Sequence, residues 1–238
     1  LAPITDIWID LLIILSMLSM TMGNLSALKQ KNIKRMLAYS SIAHVGFVMM
    51  AIIAAGVLPG ELSSFHSQGF QSALFYMFCY VFMNAGAFGV LSYLETKGIK
   101  PTLDGFRGLS RKEPIIAALM VIFLASLAGI PPTAGAWAKW TVFIAAMESQ
   151  KLLPLVIVAG VNTVIALYYY FAVAREMYLQ DVKEESNVVP NSGLASSIPI
   201  AATLIITAIT TVIIGIYPDE AWKLAAHSDI IFIKVGLM

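Results

Sequence analysis

Six apolar runs divide this 238-residue chain, at about residues 9–28, 36–58, 70–94, 114–147, 152–174 and 194–216. Each is long enough to cross a bilayer, which takes roughly 20 residues, range ~17–25. The separators are polar. Lys29 to Arg35 packs in four cations, Pro59-Gly60 marks a turn, and a polar connector runs from Glu61 to Gln68. A basic linker follows from Glu95 to Glu113, then Glu148 to Lys151, then a hydrophilic loop from Arg175 to Gly193. The pattern predicts an all-α polytopic membrane protein with six transmembrane helices in a single membrane domain, 1–238. Pro218-Asp219-Glu220 ends the last crossing, and 217–238 reads as a short amphipathic, outward-facing tail.

The fourth run departs from this rhythm. It is too long for one straight crossing, and it contains Ser126-Leu-Ala-Gly129-Ile-Pro131-Pro132-Thr-Ala-Gly-Ala-Trp-Ala-Lys139. Two prolines delete two backbone donors, so the carbonyls of Leu127 and Ala128 lose their helical partners and the helix breaks at Gly129, Pro131 and Pro132. Lys139 follows two turns later. From there to Glu148 is nine residues, roughly 13 Å at ~1.5 Å per residue, beyond the easy reach of a snorkelling ammonium. Freed carbonyls and a buried lysine are tolerated in a membrane where they line a hydrated interior, which makes Lys139 a candidate proton site.

Composition agrees with the membrane reading. The chain is 59% hydrophobic and 12% charged, with mean hydropathy +0.82, whereas a soluble domain carries about a quarter charged residues. A net charge of +1 without a basic tract gives no reason to expect nucleic acid. The lone Cys79 reads as a packing residue, and one cysteine cannot make an intramolecular disulfide or hold an iron–sulfur cluster. No glycine-rich phosphate loop, His-Glu-x-x-His motif or nucleophile elbow occurs. The chain opens on Leu1 without a signal-peptide pattern, so a fragment or processed chain is expected.

Charge also sets the topology. If crossings alternate, the loops after the first, third and fifth carry eleven of the lysines and arginines. The other side carries Lys151, Lys223 and Lys234, leaving Lys139 alone in between. By the positive-inside rule the basic loops are cytoplasmic and both termini lie outside. Counting the fourth run as two crossings would weaken that bias, so one interrupted crossing is the better reading. All fourteen acidic residues fall in loops or at helix ends. Lys139 therefore has no carboxylate at its depth, and its partner is expected to be water, a backbone carbonyl or a carboxylate from elsewhere.

His44, two turns into the second run behind Ser40 and Ser41, is the second candidate for a proton relay, set against a plain packing role. His66 and His227 lie in a connector and the tail and carry little weight. Asn24, Asn84 and Asn162 sit inside apolar runs and are expected to hydrogen-bond between helices. Gly86 and Gly89 read as close helix packing. Tyr76 and Tyr80 face either a polar interior or a packed one, and Tyr168-Tyr169-Tyr170 reads as an interfacial aromatic group. Lys34 and Arg35 stand at the mouth of the second helix, where they signal topology first.

The run Gly23-Asn24-Leu-Ser-Ala-Leu-Lys-Gln30-Lys-Asn-Ile-Lys34-Arg35-Met-Leu-Ala-Tyr39-Ser-Ser-Ile-Ala-His44-Val-Gly46 resembles the antiporter-like subunits of respiratory complex I. Asn84-Ala-Gly86-Ala-Phe-Gly89, the stretch from Ser126 to Lys139, and Asn162-Thr163 with Tyr168-Tyr169-Tyr170 are most similar to the subunit N (mitochondrial subunit 2) branch. The resemblance implies fourteen crossings in two inverted five-helix repeats, each with a broken helix. This sequence matches the second repeat and the final helix. The first repeat, with the family's membrane glutamate and its other relay lysines, is not among the matched residues.

The resemblance further implies a bacterial inner-membrane, proton-translocating subunit of NADH–quinone oxidoreductase, with Lys139 as the lysine of the second broken helix. NAD, FMN, iron–sulfur clusters and quinone would belong to other subunits, so no cofactor is expected in this chain and no redox step either. Neighbouring antiporter-like subunit M, small subunit K and lipid would be its partners. A subunit of a cation/proton antiporter or membrane-bound hydrogenase is the alternative within transport. A structural membrane subunit that moves nothing is the alternative outside it.

Overall fold

The computed structural model describes residues 2–56, 64–181 and 198–226, with side chains described from residue 7, from residue 68 and from residue 199 in the three segments. Among these residues the fold is helical: α1 (Ala2–Leu28), α2 (Ile33–Gly56), α3 (Ser64–Thr96), the short α4 (Leu109–Lys112), α5 (Pro114–Ala128), α6 (Ala134–Met147), α7 (Leu153–Leu179) and α8 (Ile198–Ile216). Residues 218–226 form a further helical segment. Five helices are long and apolar enough to cross a membrane, and α5 is a shorter apolar one. His227 and the side chain of His66 lie outside the described residues.

α3 is the central helix, packing against α2, α5, α6 and α8, while α1 closes one side against α2 and α7. Small residues let these helices meet at backbone distance. A Cβ on Gly23 would stand 2.7 Å from the Ala43 nitrogen, and one on Gly86 would stand 2.2 Å from Cε1 of Phe123. Large apolar side chains such as Leu18, Val45, Val81, Val164 and Phe171 remain on the outside, as expected where the solvent is lipid or another membrane subunit.

The ends of the bundle are held by polar contacts. Asn32 caps α2, its Oδ1 accepting from the Arg35 N–H at 3.0 Å. It also forms an isolated bridge with Thr102. Ile33 N–H donates to the Pro101 carbonyl at 2.8 Å and Leu103 N–H to the Lys31 carbonyl at 3.0 Å, which ties the two basic linkers together. Lys34 pairs with Glu95 at 2.9 Å, and Lys97 pairs with Glu113. At the opposite end Lys151 pairs with Asp10 at 3.0 Å. Glu113 precedes α5 and Lys151 follows α6, so α5 and α6 traverse the bundle once, end to end, as two halves of one interrupted crossing.

α7 continues to Leu179, past the apolar run that ends at Ala174, because the charge of Glu176 is met. Its carboxylate accepts from Arg107 Nε and from Arg175, each at 3.1 Å, and its side chain is 9% exposed. The hydrophilic loop expected from Arg175 thus begins a turn later. α3 likewise starts at Ser64, within the segment that reads as a polar connector.

Candidate functional site

The apolar core falls into two clusters, one toward the basic linkers and one toward the opposite end. On α2, Met36 and Leu37 belong to the first and Phe47 and Met50 to the second. Ser40 and His44 lie between them, as does the junction of α5 and α6, whose Ala128 and Ala134 belong to different clusters. The candidate site is this polar layer between two dry ones.

The helix break is built residue by residue. α5 ends at Gly129, which adopts φ +89° and turns its N–H back onto the carbonyls of Ala125 and Ser126, both at 3.0 Å. Ile130 N–H also reaches the Ala125 carbonyl, at 2.9 Å, which makes this a glycine-terminated helix end that satisfies its last acceptors. The Pro131–Pro132 peptide is cis, Thr133 is extended, and α6 starts at Ala134. Ser126 Oγ accepts from the Gly135 N–H at 3.0 Å, so a residue of the first half-helix caps the second. Gly135 is needed for that approach, since a Cβ there would lie 1.8 Å from the Ser126 carbonyl oxygen. α8 covers the break from outside: Trp137 Nε1–H donates to the Gly215 carbonyl at 2.9 Å.

Lys139 folds back onto this break. Its ammonium donates to the Ala128 carbonyl at 2.8 Å. That is one of the two carbonyls the prolines set free. The residue is only 5% exposed, and Nζ lies 5.2 Å from the centroid of the Phe47 ring. Among the described residues no carboxylate pairs with it. A backbone dipole and an aromatic face carry the interaction that a counter-ion would otherwise supply.

His44 is 4% exposed, and a hydroxyl stands at each of its ring nitrogens: Tyr76 at 2.7 Å from Nδ1 and Tyr170 at 3.3 Å from Nε2. Tyr170 shares a short hydrogen bond with Ser40, and Tyr80 donates to Ser41 Oγ at 2.7 Å. Phe47 stacks on Tyr76, with centroids 6.2 Å apart and planes 11° apart. The Phe47 ring thus touches both halves of the site, with the Lys139 ammonium over it and the His44–Tyr76 pair beside it.

A second polar group adjoins the first. Asn24 Nδ2 donates to the side-chain and main-chain oxygens of Asn162 at 3.0 and 3.1 Å, and Tyr169 donates to Asn24 Oδ1 at 3.0 Å. These bonds join α1 to α7. Asn84 is half-buried on α3, and its side chain makes no hydrogen bond among the described residues, so the interhelical bond expected of it is not formed there. Lys34 is engaged with Glu95 at the surface. Three residues of this layer were not legible as such in the sequence. Tyr169 and Tyr170 read as interfacial, yet they are buried, and only Tyr168 of the triplet is exposed. Ser126 carried no signal beyond being a polar residue in an apolar run.

The chain as a whole is similar to known membrane proteins. The sequence profile of the NADH:quinone oxidoreductase/Mrp antiporter transmembrane family matches residues 1–166. NADH-quinone oxidoreductase subunit N 2 of Solibacter usitatus is 38% identical over 229 residues, 96% of this chain and 43% of that protein. A subunit N 2 from Sorangium cellulosum is 42% identical over 219 residues, 90% of this chain and 40% of that one. Among solved structures, a chain of respiratory complex I from Thermus thermophilus with bound aureothin superposes with a TM-score of 0.73 at 31% identity. It covers 91% of this chain and 46% of that one. A chain of the Mrp complex from Dietzia sp. gives a TM-score of 0.78 over 93% of this chain and 47% of that one, at 18% identity, a likeness of fold alone. The chain spans less than half the length of these relatives.

Proposed function

This chain belongs to the NADH:quinone oxidoreductase/Mrp antiporter transmembrane family, and we propose that it moves protons across a bacterial inner membrane as part of complex I. In this reading it is a subunit N-type component in which Lys139 takes up and releases the proton and His44 stands next in line. The observation that carries it is the buried Lys139 ammonium on the Ala128 carbonyl, at 2.8 Å, beside a histidine with a hydroxyl on each nitrogen. A lysine held by a backbone dipole instead of a carboxylate has no fixed anion to trap its proton. The imidazole stands beside the Phe47 ring, 6.4 Å from it between centroids, within one polar layer with the ammonium.

The redox chemistry, with its NAD, FMN, iron–sulfur clusters and quinone, belongs in this reading to other subunits. Subunits M and K are the proposed neighbours, the basic loops face the cytoplasm, and the termini face outward. Movement of a carboxylate on a neighbouring segment toward or away from Lys139 would load and unload it. The test is Lys139→Ala in the assembled complex, scored by protons moved per NADH oxidised in inverted membrane vesicles and by complex assembly. Assembly with impaired proton movement supports the relay. Wild-type stoichiometry in that variant would leave a structural membrane subunit as the better reading.

A further inference from the structure

Three of the chain's four tryptophans line one pocket of about 170 Å³. Trp137 and Trp140 come from α6, on either side of Lys139 in the sequence, and Trp222 comes from the 218–226 helix. Phe75 of α3, Thr141 and Asp219 add to the walls. The level of the pocket follows from α3. From Phe75 to Thr96, the basic-linker end of that helix, is 21 residues, roughly 31 Å at ~1.5 Å per residue, which matches the ~30 Å of a hydrocarbon core. The pocket therefore stands among the lipid headgroups at the end opposite the basic linkers.

Tryptophans at that level commonly form a belt spread around the rim of a membrane protein. Trp8, 59% exposed near the start of α1, is such a residue. The other three instead converge on one space from two helices far apart in the sequence, and two of them are held in place. Trp137 Nε1–H is fixed on the Gly215 carbonyl at 2.9 Å, and Trp222 meets Phe75 edge to face, with centroids 5.6 Å and planes 74° apart. Trp140 and Trp222 keep indole N–H groups that have no hydrogen-bond partner among the described residues. Asp219 adds a carboxylate with no ion pair among the described residues, since Lys223, one turn on, pairs with Glu220 at 2.6 Å. These are complementary features. Indole faces attract a positive charge, and a carboxylate accepts its N–H. An acyl chain in the pocket would press hydrocarbon against the Asp219 charge, and an anionic headgroup would be repelled by it.

We propose that this pocket binds the headgroup of phosphatidylethanolamine, its primary ammonium held among the indoles and against the Asp219 carboxylate. The free indole N–H groups of Trp140 and Trp222 are donors available to the phosphate. A lipid is the source, in preference to a free amine, because Trp140, Ile216 and Tyr217 are exposed and give the acyl chains a surface. The inference is independent of the Lys139 reading and needs only the chain's place in a membrane. Bound there, the lipid bridges the 218–226 helix to α6, the half-helix that carries Lys139.

The experiment titrates the full chain in detergent with the dioctanoyl forms of phosphatidylethanolamine, phosphatidylcholine and phosphatidylglycerol. Bound lipid is followed by native mass spectrometry and by tryptophan emission, and soluble phosphoethanolamine serves as the headgroup without its chains. The variants are D219N, D219E and W140L, each checked for helix content by far-UV circular dichroism. The ethanolamine lipid should bind at one site about tenfold more tightly than either other lipid. D219N and W140L should lose that margin with helix content and phosphatidylglycerol binding unchanged, and D219E, which keeps the charge, should retain it. Should W140L fail to fold, D219N at its exposed position decides alone. Affinity for phosphatidylcholine or phosphatidylglycerol equal to that for the ethanolamine lipid, or an undiminished preference in D219N, would overturn the site. Phosphoethanolamine binding as tightly as the lipid would overturn the lipid as its occupant.

Discussion

Gly129→Ala perturbs the site through two separable effects. Gly129 sits at φ +89°, where an L-residue costs roughly 1–2 kcal/mol. Its Cβ would also lie 2.8 Å from Cδ of Lys139, inside the 3.4 Å at which ordinary contact begins. The lysine stem must therefore retreat by about 0.6 Å. Carried to Nζ, that displacement stretches the 2.8 Å bond to the Ala128 carbonyl to about 3.4 Å, the edge of a hydrogen bond. A charged hydrogen bond contributes about 1.5–3 kcal/mol, so the clash adds about 1 kcal/mol or more to the strain. The total expected loss is about 2–4 kcal/mol.

The assay is SDS-induced unfolding of the detergent-solubilised chain followed by far-UV circular dichroism, in a cycle with Lys139→Ala. Alanine removes both the hydrogen bond and the Cδ that the new Cβ would meet. In that background Gly129→Ala should cost only the backbone strain, and the difference between backgrounds is the steric coupling. Equal costs in the two backgrounds would refute the claim that Gly129 makes room for the lysine. No cost in either would refute the strain as well.

Two other predictions use the same unfolding assay. Gly86→Ala places a Cβ 2.2 Å from Cε1 of Phe123, an overpacking expected to cost about 1–3 kcal/mol, and Phe123→Leu in the same chain should recover part of it. Outside the membrane span, burial acts to lower the Lys97 pKa, but its hydrogen bonds to Glu113 and Tyr93 and the Glu113 charge outweigh it and hold the value above the ordinary 10.5. A value raised by folding means the stabilisation is complete below the unfolded pKa and is lost as pH rises through the folded one. Stability should therefore hold from neutral pH to about pH 10 and then fall. Lys97→Met should lower the neutral value and remove the Lys97 share of the alkaline fall, and an unchanged alkaline slope in that variant would count against the assignment.

The parts of the site that depend on backbone chemistry were legible in the sequence. Two consecutive prolines in an apolar run free two carbonyls wherever they fall, and a lysine two turns on has few partners other than those carbonyls. The structure joins the two at Ala128. Asn24 and Asn162 were legible for a similar reason, since a buried amide must find a partner and theirs turned out to be each other. The buried tyrosines were not. Their depth depends on where α7 stops, and Arg175-Glu176 reads as the start of a loop. Glu176 instead meets Arg107, from a linker about seventy residues earlier in the sequence, at 3.1 Å. That pairing lets the helix run to Leu179 and sets Tyr169 and Tyr170 deeper than a helix end. A contact so distant in sequence leaves no mark on local hydropathy. Ser126 escaped notice likewise, because its value lies in the Gly135 N–H it caps across the break.

Lys139 also tests whether this polar layer is kept for the fold or for its chemistry. Lys139→Met removes one charge-assisted hydrogen bond, about 1.5–3 kcal/mol, and the ammonium–Phe47 contact, about 0.5–2 kcal/mol. It leaves the Ala128 carbonyl without its lysine donor. Against these losses stands relief from burying an ammonium without a counter-ion, a penalty of several kcal/mol even after relaxation. The terms nearly cancel, so the variant should unfold within about 1 kcal/mol of the parent or be more stable. Proton movement in the assembled complex should nevertheless collapse. A group that evolution retains for stability cannot be removed so cheaply. Loss of more than about 3 kcal/mol on Lys139→Met would mean that the lysine chiefly fastens α5 to α6, and the broken helix would then be architecture. Near-neutral stability with lost pumping would identify the Lys139–carbonyl contact as a site whose energetic cost is borne for the proton it handles.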